Sequence, residues 1–175
     1  MARPCQSALD RVVRGTAPSP AELPIPSHAA YAIVVAGTTL LVLACVLLHY
    51  EVLTILTRIL PRLVGWQRRR ILALIFSVLA LHIVEIWIFG IGYFVLLLSH
   101  ANGALQGVLY ADAPLGLLDH VYFSAIVYTT LGLGDIWPVG AILFVTGTEA
   151  LLGFVLVTWT ASFTYIEMQR FWRTN

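Results

Sequence analysis

The segment Thr129-Thr130-Leu131-Gly132-Leu133-Gly134-Asp135 sets two glycines at alternate positions behind a pair of threonines, a spacing that suits neither a helix interior nor a strand interior. Glycine admits backbone angles of either hand. If alternate residues take opposite-handed angles, successive carbonyls point to one side. Several copies around an axis then stack those oxygens into rings that replace the hydration shell of a passing cation. The preceding stretch, Asp119 to Tyr128, contains neither Gly nor Pro and starts on Asp119, a good N-cap type, so a short helix is expected over 118–129. The C-terminal end of such a helix carries about half a negative charge, which favours a cation there without any acidic side chain.

These elements need a membrane around them. Between His120 and Asp135 lie fourteen uncharged residues, too few to cross a bilayer, which fits a re-entrant loop. Non-helical backbone at membrane depth survives only where protein or a watery cavity covers it, so the loop implies assembly around a pore. Hydrophobic residues make up 59% of the 175-residue chain and charged residues 11%, a balance that a soluble core of this size does not require. Residues 29–48 hold no charge, 71–99 only His82 and Glu85, and 136–166 only Glu149. Each stretch is long enough to cross a hydrocarbon core of about 30 Å as a helix. The expected division is a flexible tail over 1–27, a first span over 28–50, an Arg-rich interfacial segment over 51–69 kinked at Pro61, and a unit over 70–170. That unit comprises an outer helix 70–99, the short helix, the glycine segment and an inner helix 138–166.

Arginine supplies every basic side chain, and the net charge of +1 leaves no large nucleic-acid-binding surface. Arg58, Arg62, Arg68, Arg69 and Arg70 cluster in the connection after the first span, whereas 101–120 has no Arg, which places that connection in the cytoplasm. The same arginines suit contact with anionic lipid. The loop around Tyr110 and Asp112 is then external and the C-terminus, with Arg170 and Arg173, internal. Three spans put the N-terminus outside, where Arg3, Arg11 and Arg14 run against the positive-inside rule. Trp66, Trp137 and Trp172 fall near expected span ends, at headgroup level. No apolar stretch contains an arginine, so no voltage-sensing span is expected. Cys5 and Cys45 have no paired spacing that would suggest a disulfide or a zinc site.

Over roughly residues 71–170 the sequence resembles the potassium channel pore-domain family of bacterial type, a two-span unit with a T-x-G-x-G-D filter. The resemblance implies a two-span unit with a re-entrant pore helix that assembles as a homotetramer, and with the first span the chain reads as an all-α membrane protein with three transmembrane helices. It implies no enzymatic activity and no cofactor beyond the permeant ion. Carried over to this chain, it makes 129–135 the selectivity filter, with K+ held at Thr130, Leu131, Gly132, Leu133 and Gly134 and the Thr130 hydroxyl forming the innermost site. Asp135 stands at the external mouth of the pore, in a plasma membrane of the bacterial inner-membrane kind. Leu133 replaces the family's usual aromatic residue, Tyr122 and Phe123 align with a tryptophan pair, and Ile126 occupies a position where some members place a carboxylate partner for the aspartate. Gly153 lies within one position of the family's hinge glycine, so it is a candidate gate pivot or a packing glycine. The first span lies outside the resemblance.

His82, Glu85 and Glu149 sit at bilayer depth, where each ionisable group costs about 2.5–3.5 kcal/mol to insert, so each needs a partner or water. Helical spacing allows them to form one hydrogen-bonded cluster between the outer and inner helices, read first as a structural contact, then as a proton sensor, and last as a metal site. Glu149 also shares a face with Gly153, Leu156, Thr160 and Thr164, which allows it to approach the conduction path instead. His120, beside Asp119, reads as a cap neighbour. Two other functions stay open at this point: a weakly selective monovalent cation channel, suggested by Leu133, and a non-conducting helical subunit that scaffolds a partner.

Overall fold

The computed structural model describes residues 27–60, 67–99, 102–107 and 115–173. Residues 1–26 of the tail expected over 1–27, Pro61, Arg62, Trp66 and the loop at Tyr110 and Asp112 lie outside these, as do the side chains of Arg68, Trp172 and Arg173. Among the described residues there are four helices and two short strands: α1 (His28–Ile59), α2 (Gln67–Leu97), β1 (Ala104–Gly107), α3 (Leu117–Tyr128), β2 (Ile136–Val139) and α4 (Leu143–Arg173).

Helices α1, α2 and α4 are each long and apolar enough to cross a membrane. Helix α1 opens on Ser27, whose hydroxyl accepts the Ala30 N–H at 3.2 Å, and satisfies one of the first-turn donors that a helix start leaves open. It then continues unbroken to Ile59, so Glu51 to Ile59, expected as part of a separate interfacial segment, belongs to the same helix. Its 32 residues span about 48 Å at 1.5 Å per residue, longer than the hydrocarbon core. Arg58 sits in its last turn, where the helix dipole favours a cation.

Two apolar clusters hold the helices together. Near the re-entrant loop, Val34 and Cys45 of α1 join Phe89 and Tyr93 of α2, Phe123 and Val127 of α3, and Val145, Leu152 and Leu156 of α4. At the other end Leu53, Leu56 and Leu60 meet Leu74 and Val78, with Phe163 packed against them. Leu40, Leu47, Phe76, Leu79, Leu151 and Phe154 remain exposed on the subunit, an apolar exterior suited to lipid and to other copies rather than to water. Close approach of α3 to α2 depends on Gly90, where an added Cβ would stand 2.7 Å from Val121 Cα.

Three expected boundaries change. Asp119 is not the N-cap of the short helix: α3 starts two residues earlier, its cap is Gly116, and Asp119 Oδ2 reaches back to accept the Gly116 N–H at 2.7 Å. The inner helix starts at Leu143 rather than 138, because Ile136–Val139 pairs antiparallel with Ala104–Gly107 (Ala104 opposite Val139, Gly107 opposite Ile136). It also runs past Ile166 to Arg173. The ribbon closes around Gly103 and Gly140, both at positive φ (122° and 88°), where a Cβ on Gly140 would stand 2.8 Å from Gly103 Cα. Asn102 secures this corner by donating to Leu96 O at 2.7 Å and accepting from Ile142 N–H at 3.0 Å.

Candidate functional site

Helix α3 ends at Tyr128 with Thr129 as its C-cap, and the chain turns at once into the glycine segment. Two hydrogen bonds fasten the segment to the helix end: Thr130 N–H to Val127 O at 2.9 Å and Gly132 N–H to Ile126 O at 3.1 Å. The Thr129 hydroxyl donates back to Ala125 O at 2.7 Å. Beyond these bonds φ is +57° at Thr130, +55° at Gly132 and +79° at Gly134, while Leu131 and Leu133 keep negative φ. The backbone therefore alternates hand residue by residue. Threonine is β-branched, and holding one at positive φ costs on the order of 1–3 kcal/mol, which local anchoring must offset.

Residues 129–134 are exposed on the subunit, Leu131 and Leu133 by 63% and 60%, and nothing lies within 4 Å of a Cβ added at Gly132 or Gly134. The segment thus lies on a face of the subunit rather than in its interior. At its far end the Asp135 carboxylate accepts a hydrogen bond from the Tyr122 hydroxyl at 2.7 Å and from its neighbour's Ile136 N–H at 3.0 Å. Ile126 offers Asp135 no carboxylate, and a phenol from the same helix fills that role.

The three intramembrane ionisable residues divide into two networks. Glu149 is fully buried and faces into the subunit. Its Oε2 accepts from Tyr93 Oη of α2 at 2.6 Å, and its Oε1 lies 2.5 Å from Ser124 Oγ of α3, which also stands 2.9 Å from Ile86 O. The single Ser124 proton is shared between these two acceptors. With its oxygens held by α2 and α3, Glu149 does not lie on the face that bears the glycine segment. Replacing Tyr93 by Phe strips Glu149 of one donor in a dry site, and is expected to lower stability by about 1–3 kcal/mol. Thermal unfolding of the purified chain in detergent measures it.

The second network gathers groups from all four helices. His49 Nδ1 of α1 lies 2.9 Å from Glu85 Oε1 of α2, and His82 Nδ1 lies 3.1 Å from Glu85 Oε2. The Tyr128 hydroxyl of α3 donates to Glu85 Oε2 at 2.5 Å and stands 2.9 Å from His82 Nδ1. Thr160 Oγ1 of α4 meets His49 Nε2 at 3.2 Å. His82 and Glu85 come together as expected, while Glu149 does not join them, because Tyr93 and Ser124 hold it in its own network. His49, Tyr128, Tyr93, Ser124 and Thr160 are the partners that sequence reasoning missed. His49 served there only as the end of an uncharged run, although it lies 21 residues from His28 within one continuous helix.

Gly153 meets the backbone of this region. A Cβ at that position would overlap the Tyr128 carbonyl oxygen, so α4 packs closely on the end of α3 there, and α4 passes through it without a break. His120 Nδ1 bonds Gly116 O at 2.7 Å and its ring stands edge-on to Phe94, a cap neighbour as expected. Arg170 pairs with Glu167 at 2.7 Å within the last turns of α4.

A short apolar helix that ends on an alternating-hand loop, inserted between two spanning helices, defines a recognisable unit, and the family described as "Ion channel" matches residues 81–170. The chain belongs to that family. No curated protein and no solved structure matches it. The channel's matched region begins one residue before His82 and ends at Arg170, so it takes in most of α2, both strands, α3, the glycine segment and most of α4. Helix α1 stands outside the match and is joined to the matched unit through His49.

Proposed function

We propose that the protein is one subunit of a homotetrameric, potassium-selective channel whose filter is Thr129–Asp135. The observation that carries this reading is the alternation of positive φ at Thr130, Gly132 and Gly134 on an exposed segment at the C-terminal end of α3. Such a backbone turns successive carbonyls toward one side, and four copies around an axis make stacked rings that exchange for the ion's water. Carbonyl oxygens of Thr130, Leu131, Gly132, Leu133 and Gly134, with the Thr130 hydroxyl innermost, supply the sites. The α3 macrodipole adds negative potential at the inner end of the filter. Asp135, braced by Tyr122, adds a fixed anion at the mouth.

The arginines argue for the orientation. Arg58 ends α1, Arg69 and Arg70 begin α2, and Arg170 lies near the end of α4, which in an up-down arrangement gathers them on one side, the cytoplasmic one. Anionic headgroups of a bacterial inner membrane suit that side, and the N-terminus falls outside.

Leu133 favours a second reading, a weakly selective monovalent cation channel. Its side chain has no hydroxyl with which to brace the filter from behind. Flux from proteoliposomes into potassium or sodium separates the two. A filter that prefers potassium by about 1.4 kcal/mol passes it about tenfold faster. A flux ratio near one supports the second reading, and absence of any cation flux overturns both.

A further inference from the structure

We propose that His49, His82 and Glu85, with the Tyr128 phenol beside them, form a transition-metal site, of the zinc class, that clamps α1 to the pore-forming unit. The ligand atoms of the two histidines and the glutamate all lie within 4.8 Å of one another. Glu85 presents one oxygen to each imidazole, Oε1 to His49 Nδ1 at 2.9 Å and Oε2 to His82 Nδ1 at 3.1 Å, each near the donor-to-donor edge of about 3.3 Å in a tetrahedral shell with bonds of about 2.0 Å. The Tyr128 hydroxyl, 2.9 Å from His82 Nδ1 and donating to Glu85 Oε2 at 2.5 Å, orients these donors from beside the site.

The chemistry of the donors selects the metal. Two imidazoles and one carboxylate suit zinc and its neighbours in the first transition row, whereas magnesium and calcium take oxygen shells. The site has its outer support as well. A metal-bound imidazole gives its other ring N–H to a fixed acceptor, and His49 Nε2 faces Thr160 Oγ1 at 3.2 Å, which leaves Nδ1 turned to the cluster. His49 and Glu85 are fully buried and the His82 side chain is 15% exposed, so the ligands are already gathered in the fold. His82 and Glu85 stand three residues apart on one helix, a spacing that aims both side chains at the same point. Because the ligands come from α1 and α2, and Tyr128 immediately precedes Thr129, an ion here joins the added span to the base of the glycine segment. None of this depends on which cation the channel passes.

The test uses the full chain in detergent micelles, stripped by a chelator, equilibrated with Zn2+ or Co2+, and desalted. Wild type is expected to retain one metal per chain, with the d–d absorption of tetrahedral Co2+, and His28→Ala, an exposed histidine elsewhere on α1, to retain the same. His49→Ala and His82→Ala are each expected to lose retention while keeping the wild-type oligomer size. Should those variants misassemble, zinc-edge absorption on wild type decides alone: an inner shell of nitrogen and oxygen at about 2.0–2.1 Å with imidazole scattering supports the site. A shell with sulfur, or one without imidazole, overturns it. So does wild-type protein that retains no metal, in which case the cluster holds only protons, or retention that both substitutions leave unchanged. Potassium flux is measured separately, so loss of metal binding and loss of conduction are distinguishable.

Discussion

Gly132→Ala is expected to abolish selective cation flux while leaving the subunit folded. At φ +55° an L-residue costs about 1–2 kcal/mol, and the proposed tetrameric ring needs the same backbone in all four copies, so under that proposal the assembly bears about 4–8 kcal/mol. At about 1.4 kcal/mol per factor of ten, the conducting conformation becomes at least on the order of a thousandfold rarer. The penalty is conformational and not a clash within the subunit, since no atom lies within 4 Å of the added methyl. Thermal unfolding of the subunit should therefore shift little while flux falls to the level of empty liposomes. A substituted protein that still prefers potassium would show that this carbonyl does not line the path, and the filter assignment would fail with it.

Gly153→Ala is expected to do the opposite, damaging the fold first. The new Cβ meets the carbonyl oxygen of Tyr128, a backbone atom with no rotamer by which to yield, so α4 must move away from the end of α3. Overpacking of this kind costs about 1–3 kcal/mol, and a chain of this size loses about 2–4 °C of melting temperature per kcal/mol. Conduction should fall too, because Tyr128 leads directly into Thr129. A hinge would behave otherwise: an alanine there would stiffen the helix and change gating with the melting temperature preserved. An unaltered melting curve beside altered gating would reinstate the pivot that the sequence position suggested.

The spans, the re-entrant helix and the glycine segment were legible because each follows from a local rule. A run such as 29–48 has one destination, and fourteen uncharged residues after His120 are too short to cross. The alternation of Gly132 and Gly134 signalled a special backbone, although Thr130, the third residue at positive φ, carried no such mark. Pairing between Ala104–Gly107 and Ile136–Val139 was not legible, since it joins two short stretches on either side of α3 and depends on the turn glycines Gly103 and Gly140. The expected start of the inner helix at Pro138 failed for that reason. Asp119 was assigned the right chemistry one role away: it caps from the third helical position and not from the first.

The polar networks failed differently. Helical spacing placed His82 and Glu85 on one face correctly, but nothing local says that Glu149 turns to Tyr93 and Ser124, or that a histidine 36 residues upstream completes the bond to Glu85. Those pairings depend on how α1 lies against α2 and α4, a property of the assembled bundle. Tyr128 was hidden by its position, since it reads as the last apolar residue of a short helix and is in fact the hydroxyl nearest Glu85.

The bond between His49 and Glu85 also bears on how the protein is built. A carboxylate entering a bilayer on a lone helix is opposed by about 2.5–3.5 kcal/mol. Its hydrogen-bond partner His49 lies on the helix synthesised immediately before it, so the favourable course is for the first two helices to leave the insertion machinery as a hairpin, already joined at that contact. Biogenesis then has a built-in checkpoint, in which the added helix escorts the charge into lipid before the loop that will face its symmetry mates has been made.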